Sequence, residues 1–129
     1  MSQKTTGTFT ISLDTELAWG TFDTKSGFDP YREAYLRGPE IVNRLCVLFE
    51  QYDISATWAV VAHLFEECGG HQDFPTVDFD WIDDWYGVLP CESGVERKMW
   101  YSPTILELIK ACSPEQDIGL HGYSHLILG

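Results

Sequence analysis

The chain has 129 residues, 44% of them apolar and five of them tryptophan, enough for a single domain with a real core and too many for a disordered one. Twenty acidic residues against eight basic ones leave a net charge of −12. Such a surface repels phosphate backbones and anionic headgroups, so nucleic acid and membrane are poor partners, whereas neutral or cationic ligands and metal ions are not.

From Met1 to Gly7 there is no apolar signal segment, and no later run reaches membrane-spanning length, which predicts a soluble, cytoplasmic protein. Residues 8–14 alternate: Phe9, Ile11 and Leu13 point one way, Thr10, Ser12 and Asp14 the other, as in a strand covered on one side. Glu16 shares the parity of Asp14, so both carboxylates face one side if the extended geometry persists. Trp19 to Gly38 is a long connection rich in Gly, Asp and aromatics, of the kind that serves as a lid or binding loop. Pro39 then marks a first helical turn, with Ile41, Leu45, Leu48 and Tyr52, joined by Val42 and Phe49, as the expected buried stripe. Residues 54–62 read as a second strand, apolar on nearly both faces, and strand–helix–strand in sequence predicts a parallel βαβ unit.

Between Glu66 and Trp100, Asp73, Asp78, Asp80, Asp83 and Asp84 interleave with Phe74, Phe79, Trp81, Trp85 and Tyr86. The run reads either as a solvated face or as aromatic platforms and carboxylates suited to a sugar. Ser102-Pro103 predicts a helix start, and Ile105, Leu108, Ile109 and Cys112 its buried side. A short third strand at 117–121 leads into His121-Gly-Tyr-Ser-His125. Cys46, Cys68, Cys91 and Cys112 form no Cys-x-x-Cys pair, against a zinc knuckle or a thioredoxin-like site. Cys46 and Cys112 sit where reduced, buried thiols belong.

Two polar clusters thus stand at the C-terminal ends of two predicted strands, the edge where α/β proteins gather ligands. A carboxylate plus two histidines four residues apart can hold a divalent ion with positions left open, and a second carboxylate can accept a proton from water. Asp14 and Glu16 are able to divide those roles.

At this point the chain resembles the polysaccharide deacetylases of carbohydrate esterase family 4. Phe9-Thr-Ile-Ser-Leu-Asp14, followed by an acid, is similar to the family's first motif. Ala56-Thr-Trp-Ala-Val-Val is similar to its second strand, and Ile118-Gly-Leu-His121-Gly-Tyr-Ser-His125 to its second motif. The resemblance implies the N-terminal portion, residues 1–129, of a distorted (β/α) barrel, TIM-barrel-like, with parallel strands and covering helices. It implies metal-dependent removal of N-acetyl groups from sugars or polysaccharides. Asp14 matches the general base. His121 and His125 match two ligands of a divalent ion, most plausibly Zn²⁺, with Glu16 as the third although Thr15 separates it from Asp14. Trp19 is a candidate for contact with a carbohydrate or N-acetylated substrate. Gly122 stands where Ser or Thr is commoner. The family's later arginine and second catalytic histidine are not matched before Gly129, and neither His63 nor His71 sits at a family position. The resemblance therefore implies a 129-residue chain that is inactive alone and exposes the apolar 54–62 strand.

Two other readings fit parts of the pattern. A glycosidase on a similar barrel needs carboxyl groups about 5–9.5 Å apart, and Asp14 and Glu16 would be about 7 Å apart in an extended strand, but this leaves the histidines idle. A non-catalytic carbohydrate-binding domain would keep the aromatics and an ion without turnover.

Overall fold

In the computed structural model the described residues are 7–21, 29–66 and 95–125. Strand β1 (Ser12–Thr15) runs into a single 3-10 turn at Leu17–Gly20. Helices α1 (Arg32–Leu36) and α2 (Gly38–Tyr52) come next, then β2 (Thr57–Val60) and a 3-10 turn at Ala62–Phe65. A further 3-10 turn at Val95–Met99 precedes α3 (Pro103–Ala111) and β3 (Asp117–Leu120). The strands form an open, wholly parallel sheet in the order β1-β2-β3, so the fold is mixed α/β as the alternation of elements predicts. Among the described residues no helix is long and apolar enough to cross a membrane.

Side-chain alternation gives the sheet two unlike faces. Trp58 and Val60 point to a core completed by Val42, Cys46 and Phe49 of α2 and by Ile105 and Ile109 of α3. Phe49 meets Trp58 edge-on, with ring centroids 6.0 Å apart. The opposite face carries the rows Ser12–Thr57–Asp117 and Asp14–Ala59–Gly119, small or polar and largely uncovered, with the Thr57 hydroxyl donating to Asp117 at 3.0 Å. Proton acceptors and donors on this face cost nothing to keep wet.

Three expectations are corrected here. Pairing in β1 starts only at Ser12, and Phe9, expected to face inward, is 87% exposed, with no element of the described residues packed over it. The second strand pairs over Thr57–Val60 rather than 54–62, and its uncovered face is Thr57 and Ala59, so it offers no broad apolar surface. The buried stripe of α2 is Gly38, Val42, Cys46 and Phe49; Ile41, Leu48 and Tyr52 are exposed. Apolar residues span so wide an arc of this helix that the pattern alone does not fix its centre. The packing of α3 does, with the Cys46 thiol set against the Leu108 carbonyl at 3.8 Å.

The register of β3 depends on one residue the pattern did not single out. Buried Gln116 accepts from the Ala56 amide at 3.0 Å and from the Trp58 indole at 3.2 Å through its Oε1. Its Nε2 donates to the carbonyls of Ile54 at 3.1 Å and Pro114 at 2.6 Å. That saturates the amide's donors and fixes where β3 begins beside β2. The histidine motif is positioned from there.

Candidate metal centre

Glu16 is not part of the strand that precedes it. Extended geometry ends at Thr15; Glu16 has φ −140° and ψ −17°, and Leu17 has φ +49°, an unusual value for a bulky residue. The turn is held by Trp19, which is fully buried, donates its indole N–H to the Trp100 carbonyl at 2.7 Å and sits edge-on to the Trp100 ring. Trp19 was expected at the substrate; with no exposed surface it has no ring face for a sugar, and it acts as the anchor of this turn. Gly20 completes the arrangement. A Cβ there would collide with the Glu16 carboxylate, so only glycine leaves the carboxylate its place.

The histidines reach the same place from the far side of β2. His121 extends the parallel ladder, donating its amide to Val60 at 2.7 Å. The next two carbonyls, of Gly122 and Tyr123, accept from the amides of Ala62 at 3.0 Å and His63 at 2.9 Å. The chain then bends through Tyr123 and Ser124, with φ +77° at Gly122 and +57° at His125, so a tight loop rather than a helical turn brings the imidazoles together. Their ring centroids are 4.9 Å apart. The left-handed value at Gly122 accounts for glycine where the resemblance leads one to expect Ser or Thr.

Glu16 Oε2 lies 3.3 Å from His121 Nε2 and 3.1 Å from His125 Nε2. That carboxylate oxygen is shut off from solvent, and neither approach has hydrogen-bond geometry. A buried carboxylate oxygen left in this way is costly unless something positive stands between the three atoms. The spacing is that of ligands: a tetrahedral ion with bonds of about 2.0–2.1 Å separates its ligand atoms by roughly 3.4 Å. Glu16, His121 and His125 each offer one ligand atom within 4.8 Å of the others, so the three residues fit a divalent ion.

Asp14 lies outside that group, on the open face of β1, one residue before the strand ends. The two acids are thus separated by environment: Glu16 turns in to the histidines, and Asp14 stays in the row with Ala59 and Gly119. Both acids nevertheless border one mostly apolar groove of about 340 Å³ along β1, whose lining also includes Leu13, Leu17, Tyr35 and Leu45. The Tyr35 hydroxyl meets Thr21 at 2.7 Å. Burial is the main reason that the Tyr35 phenol is raised above its ordinary pKa.

Of the remaining sequence candidates, the acidic and aromatic run from Asp73 to Tyr86, together with His71, Cys68 and Cys91, lies outside the described residues. Cys46 and Cys112 are free thiols, as expected. Sequence reasoning missed Gly20 and Gln116, each of which acts through the room or hydrogen bonds it gives another residue. No family model, curated protein or solved structure matches the chain.

Proposed function

We propose that the chain carries the metal-binding motifs of a hydrolase that removes N-acetyl groups from sugars, as its resemblance to polysaccharide deacetylases implies, on a barrel of that type. The observation that carries the reading is the convergence of Glu16 Oε2 with two imidazole Nε2 atoms, beside an independent carboxylate at Asp14. Glu16, His121 and His125 would hold the ion, and their nitrogen and oxygen donors suit Zn²⁺. When bound, the ion supplies Lewis-acid polarisation of an amide carbonyl and activation of water. Asp14 takes the proton of the attacking water as general base. The wet, small-residue face around Ala59 and Gly119 leaves room for the acetamido group beside it.

The glycosidase reading is weaker on this geometry. It requires both acids at the sugar, and Glu16 is committed to the histidines. The test follows acetate release from N-acetylglucosamine oligomers with Zn²⁺ or Co²⁺ present. Chelator-sensitive release, reduced about 10²–10⁴-fold by Asp14→Asn with the metal retained, is the expected result. Protein that holds metal and binds the oligomers without releasing acetate would instead make this a binding domain.

A further inference from the structure

We infer that His63, which supplies no ligand, is a positioning residue that ties the carboxylate and histidine arms of the metal centre into one unit. The inference rests on the metal reading above. His63 is 1% exposed, in the turn that follows β2. Its ring packs against Trp19 at 5.0 Å between centroids, and Trp19 anchors the turn that presents Glu16. On another side it packs against Tyr123 at 4.7 Å, and Tyr123 is the middle residue between His121 and His125. Its backbone amide holds the Tyr123 carbonyl at 2.9 Å.

Polar contacts close the same circuit. The Tyr123 hydroxyl donates to Glu66 Oε2 at 2.6 Å, and that oxygen lies 3.6 Å from His63 Nδ1. His63 Nε2 pairs with the Tyr101 hydroxyl at 3.4 Å. One imidazole therefore touches the anchor of each arm, and a shift of its ring moves both. An aliphatic residue would fill the volume but could not pair with Tyr101. Partners that orient metal ligands from behind typically change affinity about 10–100-fold when lost.

The test is a Co²⁺ titration read by the visible ligand-field spectrum, with far-ultraviolet circular dichroism as a folding control. Variants are His63→Phe, which keeps a ring and loses both nitrogens; Tyr123→Phe, which loses only the hydroxyl; and Glu66→Gln, which keeps an acceptor oxygen. The first two are expected to bind about 10–100-fold more weakly with a displaced spectrum, Glu66→Gln to stay near wild type, and the double Phe variant to lose less than the product of the singles, because both act in one network. Tyr123→Phe is mild enough to fold if His63→Phe does not. A wild-type chain that takes up no Co²⁺ would overturn the metal reading and this inference with it. A wild type that binds, with folded Tyr123→Phe matching it in affinity and spectrum, would overturn this inference alone.

Discussion

The two arms of the metal centre are built by opposite means. The carboxylate arm is a single turn with one residue at positive φ, and a buried tryptophan holds it from the core. The histidine arm is a surface loop hung by backbone hydrogen bonds from the extension of β2, and its register is set further upstream by Gln116. Side-chain packing therefore places Glu16, whereas strand pairing places His121 and His125. Different kinds of substitution should therefore reach the two arms one at a time, except at His63, which touches both.

Gln116→Leu is the strongest way to break the histidine arm while sparing the other. It leaves the buried Trp58 N–H and the Ala56 amide without their acceptor, at about 1–3 kcal/mol for each such group. We expect a loss of about 2–4 kcal/mol in urea unfolding, with the denaturant slope unchanged. A loss below about 0.5 kcal/mol would mean that β3 keeps its register by other means.

Gly20→Ala addresses the carboxylate arm. The new methyl takes the space of the Glu16 carboxylate, so metal affinity should fall about 10–100-fold, with far-ultraviolet circular dichroism unchanged. Calorimetric titration with Zn²⁺ measures it. Wild-type affinity in this variant would show that Glu16 has another way to reach the histidines.

The smallest effect sharpens the contrast with a part of the core that takes no part in the site. Burial, reinforced by the neighbouring Cys112, pushes the Cys46 thiol up to about 12. A raised pKa means that the folded state holds the proton more tightly. Its stabilising contribution is complete below the ordinary thiol pKa and is lost as pH rises towards 12. At pH 8 the folded thiol should react with iodoacetamide at least about 100-fold more slowly than the unfolded one, since the thiolate is the nucleophile. Mass spectrometry of pulse-labelled protein reads this directly, and equal labelling rates would contradict the burial of Cys46.

These regions also differ in how legible they were. The α/β alternation and the helix start at Pro103 are readable because they rest on local patterns, whereas the residues alone leave Asp14 and Glu16 interchangeable and only the resemblance sets Glu16 beside His121 and His125. The centre of the α2 stripe was not, since Ile41, Leu48 and Tyr52 are as apolar as the residues that α3 selects. Trp19 was misread for a related reason: a tryptophan beside an acidic motif suits a sugar and a core equally, and only the Trp100 carbonyl decides it. Gln116 and His63 act through contacts between distant parts of the chain, which no local window contains, whereas Gly20 acts on nearby Glu16 through a close approach that only the turn geometry creates.

The measurement that bears most directly on the account is calorimetric titration of the purified chain with Zn²⁺, run beside Glu16→Gln, His121→Ala, Asp14→Asn and His63→Ala. The account predicts one ion per chain. Glu16→Gln and His121→Ala should lose binding almost wholly, His63→Ala should lose less than His121→Ala, and Asp14→Asn should bind as the wild type does. Absence of binding in the wild type, or equal binding by wild type and His121→Ala, would contradict it.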